Sequence, residues 1–434
     1  MKVVFLEIEA DRDWALSAVG PSCLGAWLRE HGHDAELVVA GRDEAVDTVR
    51  AKVMAADPGL IGVSMTTRQW LRGREVVAGL APCPVPLIAG GLHATFCADA
   101  VLATPGFDAV CVGEGERALL AAVEALEAGR SLDGIDNVRT GPEPAKLGPP
   151  VSPLDTLPWM ARDLLREPPG VVNVSTQRGC PFPCTYCAAR MLDELYGDGR
   201  YGRRRSVEHV VGELQALKAG GACYVVFLDD TFTLNPSWLR AYLPVHGERV
   251  GMPFSLHARV ETMSDPLLAL LAEAGCDQIT YGVESGSERV RREVMKRPVT
   301  NARIADVFAR TKAAGIRVTA NYMLGLPDET PEDLDATFEL HLELDPDVFG
   351  YFVFYPYPGT PLFKTCLDRG ILPADWAERP AVHHRSVLAL EHLGADDLTR
   401  VWQRFTDDRV QRTAARYGGK PGAVESVQDY AVTI

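Results

Sequence analysis

No apolar run in the 434 residues approaches the roughly 18 that a membrane helix requires, so no membrane partner is expected. The opening Met1-Lys2-Val3-Val4-Phe5-Leu6-Glu7-Ile8 is cut off at once by Glu9, Asp11 and Asp13. It reads as a strand rather than a signal peptide, and a cytoplasmic protein is expected. Positive charge is scarce: 44 Lys and Arg stand against 59 Asp and Glu, a net −15. Nucleic acid binding rests on clustered basic residues, so that class is disfavoured and a small neutral or cationic substrate fits better. The ten cysteines are scattered through a long chain without an export signal, which argues for reduced thiols or metal ligands over a disulfide framework. Internal repeats and low-complexity tracts are also lacking.

What is present suffices for two ordinary domains and a tail, with 47% hydrophobic residues to fill their cores. Up to residue 130, short apolar runs at 3–8, 35–39, 60–64, 86–89 and 108–112 alternate with helix-like stretches at 24–29, 43–54, 71–80 and 116–128. This alternation predicts an α/β, doubly wound, Rossmann-like domain whose ligand sits at the carboxyl ends of the strands. Residues 131–170 hold eight prolines (142, 144, 149, 150, 153, 158, 168 and 169) and read as a linker, in which Pro158-Trp159-Met160 and Leu164-Leu165 could dock on a neighbour.

Strand patterns then recur at 171–176, 224–229, 254–260, 278–284, 318–325 and 348–355, separated by helical ones at 207–217, 266–273, 304–313 and 331–344. Six such units predict a partial (β/α)6 TIM-like barrel over 171–380, with its site at the strand ends. A short helical tail over 381–434, with its main helix at 397–416, closes the chain.

The most informative segment is Gln177-Arg178-Gly179-Cys180-Pro181-Phe182-Pro183-Cys184-Thr185-Tyr186-Cys187. It places Cys180, Cys184 and Cys187 on a Pro-rich loop after the first strand of the second domain. A [4Fe-4S] cluster normally takes four cysteinates. With three, one iron keeps an open position, the logic that separates catalytic from structural metal sites. The competing readings are chance core cysteines, or a zinc site with His209 as fourth ligand. Structural zinc usually shows a second Cys-x-x-Cys half, which this chain lacks.

The spacing Cys-x-x-x-Cys-x-x-Cys, with aromatic Tyr186 before the last cysteine, is similar to the radical S-adenosylmethionine (SAM) superfamily. The resemblance implies an open iron chelated by the amino and carboxylate groups of SAM. An electron from the cluster, supplied by a flavodoxin, a ferredoxin or a dedicated reductase, would cleave SAM to a 5′-deoxyadenosyl radical that abstracts hydrogen from substrate. Further matches are the segment containing Asp229 and Asp230, implied near the methionine amine, and Glu284-Ser285, implied near the ribose. Gly325 opens a turn implied to lie near the adenine, and Arg259 matches an arginine that pairs with the methionine carboxylate. Each has a plainer reading: the aspartates could cap the next helix, and Gly325 could be a turn residue. Cys223, Cys276 and Cys366 read as core thiols.

In the first domain, strand-end loops carry Ser64 and Thr66, then Gly90, Gly91 and His93, then Gly113 and Gly115. Glycines there let a ligand approach the backbone. The three loops together resemble the cobalamin-binding domain found ahead of many radical SAM barrels, as does Leu154-Asp155-Thr156-Leu157-Pro158. The Asp-x-His-x-x-Gly loop of other cobalamin proteins is absent, its place taken by Glu9-Ala10-Asp11-Arg12-Asp13-Trp14. No axial histidine is assigned on that basis, and His93 reads first as a structural histidine and second as a cobalt ligand. Arg200, Arg203, Arg204 and Arg205 read first as a solvated face.

The resemblance implies cobalamin-dependent radical C-methylation of a small molecule, and the abundance of Ala, Arg and Gly hints at specialised metabolism. The alternative is a radical dehydratase or deoxygenase of an amino sugar whose first domain binds no cobalamin, with Tyr224, Tyr281, Tyr322 or Tyr355 as proton donor. A non-catalytic cobalamin sensor is disfavoured by the intact cysteine triad.

Overall fold

The computed structural model describes residues 1–10, 18–197 and 201–417. Two six-stranded sheets organise it. The first contains β1 (Lys2–Ile8), β2 (Asp34–Ala40), β3 (Leu60–Ser64), β4 (Leu87–Gly90), β5 (Ala109–Cys111) and β6 (Val138–Arg139), in the order β2-β1-β3-β4-β5-β6. All pairings are parallel except β5 with β6. Helices cover both faces, which is why β1 reads as a near-continuous apolar run interrupted by Glu7 rather than an alternating one: from Val3 to Ile8 every residue is buried. Val4, Leu6 and Ile8 enter one core layer, and Val3 and Phe5 the other.

The segment expected as linker is folded. Leu132, Ile135, Val138, Ala161 and Leu164 belong to a first-domain core layer, and β6 completes its sheet. Arg162 then reaches the other way, donating to Glu213 at 2.7 Å on the helix Val207–Ala219. Prolines stop helix and sheet without stopping burial, so a Pro-rich strap can run over a surface and be packed against it.

After the strap come β7 (Val171–Val174), a short antiparallel ribbon of β8 (Gln177–Arg178) and β9 (Arg203–Arg204), then β10 (Tyr224–Phe227), β11 (Phe254–Ala258), β12 (Cys276–Glu284), β13 (Arg317–Leu324) and β14 (Val348–Val353). The second sheet runs β14-β13-β12-β11-β10-β7, all parallel, and curls into a half barrel. Each expected strand of both series is found. Along β12, Ile279, Tyr281 and Val283 enter the helix layer, where the Tyr281 hydroxyl meets Thr311 at 3.0 Å. Alternation therefore turns Gln278, Thr280, Gly282 and Glu284 to the barrel interior.

The barrel helices begin where the sequence supplies caps. Ser206, Asn235, Thr300, Thr330 and Thr360 each accept from a backbone N–H in the following turn, with Pro at the start of three of these helices. Helices Gly91–Phe96, Ala98–Leu102, Ala188–Tyr196 and Pro236–Val245 were not expected from the pattern. The tail helix Ala395–Tyr417 seals the barrel with Leu398, Val401 and Phe405. Among the described residues no helix is long and apolar enough to cross a membrane.

Gly286, just past β12, lies so close to the helix Pro331–Leu344 that a Cβ would stand 2.1 Å from the Ala336 carbonyl oxygen. Backbone cannot yield there as a side chain can. Gly286→Ala is expected to destabilise the barrel by roughly 2–3 kcal/mol, read as a lowered midpoint in chemical denaturation.

Candidate functional site

The cysteine loop leaves β7 and is tied down by one carboxylate. Asp229, 1% exposed, accepts from Thr176 N and Gln177 N at 2.8 Å each, from Thr176 Oγ1 at 2.6 Å and from Ser175 Oγ at 3.3 Å. Burial pushes its carboxyl up, against the pull of these donors and of Arg204. Asp229 is neither a helix cap, since Asn235 caps the next helix, nor a free ligand group. Asp230, raised by burial and by Asp229, lines the smaller cavity beside it.

The three cysteines come together at the barrel mouth. Cys180 lies 3.6 Å from the Thr231 hydroxyl, buried Cys184 accepts from Arg259 Nη1 at 2.9 Å, and Cys187 walls the larger of two cavities. Burial raises the Cys180 thiol and pushes Cys187 up to about 12, with Asp230 and the neighbouring cysteines adding to both. Thiols so placed lose their protons to a metal rather than to water. Among the described residues no three His, Cys, Asp or Glu converge on a single metal ion. A cubane cluster spreads its thiolates over three different irons and needs no such convergence. His209, the zinc alternative, is engaged elsewhere: its Nδ1 accepts from Arg205 Nε at 2.9 Å.

Behind the cysteines, Arg259 lies over the Phe182 ring at 3.8 Å and pairs with Glu261. Glu284 has a positive φ of 69° at a register shift between β12 and β13. Its Oε1 accepts from the Tyr186 hydroxyl at 3.2 Å and Arg297 Nη1 at 3.1 Å. Burial works against charge on Arg297, but Tyr186, Glu284 and Glu261 around it hold its pKa above the ordinary value. Tyr186, Glu284 and Arg297 thus form one hydrogen-bonded cluster under the cysteine loop, and Arg259 braces Cys184 beside it.

Other candidates are not brought there. Ser285 is fully buried against Thr337. Gly325 has its N–H taken by Glu329 at 2.6 Å and is a turn residue at φ 79°. Tyr281 and Tyr322 point into the helix layer, the latter to His341, and Tyr224 bonds Asp277; only Tyr355 lines a cavity. Cys276 and Cys366 are buried, whereas Cys223, expected as a core thiol, is exposed on the turn before β10.

Two adjoining cavities of about 460 and 1090 Å³ separate the domains. Ser64, Gly90, Gly91, Gly113 and Gly115 wall the smaller; Ser64, Thr66 and Gly91 join Tyr186 and Cys187 around the larger. Gly91 is required by the backbone itself, since at φ 87° a Cβ would lie 2.7 Å from the Met65 carbonyl. His93 faces neither cavity. It is 2% exposed, stacked on Trp70 and bonded through Nδ1 to Thr67 at 3.2 Å, and burial lowers its pKa to about 4.

The basic run is not a solvated face. Arg203 holds Glu114, Arg204 lies over the Trp238 ring at 4.5 Å, and Arg205 reaches Glu213 at 2.7 Å. Arg200 and the segment from Asp11 to Trp14 lie outside the described residues.

A radical SAM superfamily model matches residues 174–341, and a B12-binding domain model matches residues 14–123. The chain is a radical SAM enzyme with an N-terminal cobalamin-binding domain. The cofactors expected from the sequence, a [4Fe-4S] cluster, SAM and cobalamin, are those of these two domains. The enzyme is 29% identical over 407 residues to an uncharacterized methyltransferase of Pyrococcus horikoshii, covering 89% of this chain and 86% of that protein. It is 28% identical over 378 residues to the cytidylyl-2-hydroxyethylphosphonate methyltransferase of Streptomyces wedmorensis, covering 76% and 70%.

Among solved structures, its fold is similar to the radical SAM methyltransferase TsrM of Kitasatospora setae with cobalamin and a [4Fe-4S] cluster bound. There the TM-score is 0.70 at 18% identity, over 85% of this chain and 75% of that one. It is also similar to the cobalamin-dependent SAM radical enzyme OxsB, with TM-score 0.66 at 16% identity over 98% and 63%. The enzyme is methyltransferase-like in its relatives.

Sequence reading missed Glu114, Glu116, Glu329 and the Tyr357–His383 pair at 3.1 Å in the larger cavity wall. The acidic residues alternating with Gly113 and Gly115 were the available signal.

Removing the Asp229 carboxylate leaves buried backbone N–H groups unmet at the stem of the cysteine loop. Asp229→Ala is expected to cost about 2–4 kcal/mol in unfolding free energy and to lower iron per chain after reconstitution. Glu329 is buried, and burial pushes its carboxyl up to about 8. Its folded pKa exceeds its unfolded one, so the stability tied to its proton is complete below about 4.5 and is lost as pH rises through about 8. Glu329→Gln should match wild type near pH 4.5 and be the more stable by roughly 1 kcal/mol or more at pH 8, measured by denaturant titration at each pH.

Proposed function

We propose that the enzyme is a cobalamin-dependent radical SAM methyltransferase that C-methylates a small molecule in specialised metabolism. One observation carries the reading: Cys187 of the cysteine loop and Thr66 of the first-domain loops wall the same cavity between the domains. Chemistry begun at the cysteines and a group carried by the first domain would meet there without an intermediate leaving the protein.

In this reading Cys180, Cys184 and Cys187 are the cluster ligands. When bound, the cluster supplies the electron that splits SAM, and cobalamin carries the methyl group. Arg259 steadies Cys184 and would pair with the methionine carboxylate. Glu284, held by Tyr186 and Arg297, and Asp230 at the cavity edge supply acceptors toward the rest of SAM. Ser64, Thr66, Gly90, Gly91, Gly113 and Gly115 line the cavities and would cradle the corrin cofactor through backbone and hydroxyl groups. An external reductant and a cytoplasmic setting complete the proposal. The relatives named as methyltransferases support it, as does a TsrM structure with a tryptophan substrate, a small molecule.

The test is anaerobic reconstitution with iron, sulfide and hydroxocobalamin. Retained cobalt together with both S-adenosylhomocysteine and 5′-deoxyadenosine is the expected result. Iron without cobalt, and 5′-deoxyadenosine alone, would replace this function with the radical dehydratase. Cys184→Ala should lose cluster absorbance and SAM cleavage while keeping cobalamin bound.

A further inference from the structure

The two halves of the chain meet at a buried ion network that begins two residues before Cys180. Arg178 donates from Nη1 to Glu114 Oε1 at 2.9 Å and from Nη2 to Glu116 Oε1 at 2.5 Å. Arg203, its partner across the β8–β9 ribbon, grips the same Glu114 at 2.6 and 3.0 Å, and Val151 N adds a donor at 2.8 Å. The carboxylate side chains are only 8% and 4% exposed.

The far flank of the cysteine loop ends on the same place. The helix Ala188–Tyr196, which starts directly after Cys187, finishes with Tyr196, whose hydroxyl accepts from Glu114 N at 2.6 Å. That hydroxyl fills the space a Cβ on Gly113 would occupy. Both exits of the cysteine loop are therefore anchored on one first-domain loop, residues 113–116. The same four residues wall the smaller cavity together with Arg178 and Gly179.

Buried charges satisfied in one geometry cannot slide to neighbouring ones without leaving a charge unpaired, which costs several kcal/mol. A ligand that presses on the 113–116 loop must then move the cysteine loop or be refused. Two sites sharing such an element are coupled, and the coupling is reciprocal.

We propose that Arg178 is a positioning residue that couples occupancy of the inter-domain cavity to the geometry of the cysteine loop, so that corrin binding and cluster assembly favour each other. This rests on the placement of cluster and cobalamin in the proposed function. A nearby contact supplies the contrast: Arg74 and Glu378 also join the two halves, at 2.8 and 2.6 Å, but touch neither loop.

The experiment titrates hydroxocobalamin into the full-length protein, cluster-free and anaerobically reconstituted, and reads both dissociation constants by equilibrium dialysis. Wild type should bind at least about fivefold more tightly with the cluster in place, and the ratio should fall below about twofold in Arg178→Lys and in Glu114→Gln. Arg74→Ala should keep the wild-type ratio. Hydrogen exchange over residues 177–187 should slow on hydroxocobalamin binding in wild type and not in Arg178→Lys. If Arg178→Lys takes up no iron, the isosteric Glu114→Gln carries the same comparison. Equal affinities in the two wild-type forms overturn the coupling and leave the proposed function standing. A ratio retained in both network variants, or lost equally in Arg74→Ala, overturns the role of Arg178. Failure of both forms to bind hydroxocobalamin brings down the proposed function and the coupling together, whereas failure of the cluster-free form alone is the coupling at its strongest.

Discussion

One buried carboxylate sets the position on which the site depends. Asp229 gathers two backbone N–H groups and two hydroxyls from Ser175, Thr176 and Gln177, where the chain leaves β7 and turns toward Cys180. A loop with three prolines or glycines in five residues, Gly179 to Pro183, cannot hold itself by regular hydrogen bonding. Its placement must come from its ends. Asp229 fixes the entry to the end of β10, and the Thr185 N–H and hydroxyl, bonded to Met295 and Val294, fix the exit to the far side of the barrel. Cys180 and Cys184 between these anchors, and Cys187 two residues past the second, inherit the precision of the strands.

The same economy explains why the site forms between domains rather than within one. Parallel sheets leave their ligand space beyond the carboxyl ends of the strands. Both sheets turn those ends toward each other, and the Pro-rich strap holds them there by burying Leu164 in the first core and pairing Arg162 with Glu213 of the second. Glu213 is 1% exposed and also receives Arg205, so the strap is bound by a charge that has no solvent alternative. A cavity of about 1090 Å³ persists because its walls belong to separately packed cores.

Much of this was legible in the sequence, for reasons that differ by element. The strands were found because buried parallel strands are short runs of Val, Ile, Leu and Ala bounded by turn residues. The cysteine loop and the Ser64, Gly91 and Gly113 loops stood out in the sequence because their chemistry is local in the chain. The Pro-rich strap was read as a linker with docking points such as Leu164, and the extent of its packing was not legible because proline reports the absence of regular structure and says nothing about burial. Arg203, Arg204 and Arg205 were misread for the complementary reason: their partners Glu114, Trp238 and Glu213 are distant in sequence, and a basic run looks alike whether solvated or paired. Tyr281 and Tyr322 were offered as proton donors from residue type alone, whereas strand alternation turns both away from the barrel interior.

His93 shows how burial decides chemistry that residue identity leaves open. A histidine after β4, in a domain of this type, sits in the right loop to approach a bound metal. Its ring is instead stacked on Trp70 with one nitrogen on Thr67, and burial leaves it neutral down to about pH 4. Moving it into the cavity would break the stack and open a void under the 91–96 helix. Among the described residues the first-domain loops Ser64–Thr66, Gly90–Gly91 and Gly113–Gly115 therefore offer a corrin ring glycines, hydroxyls and backbone amides, and His93 is not among the cavity walls. A cofactor held that way is retained by shape and many modest contacts rather than by one strong bond, which leaves its reactive faces free for transfer chemistry.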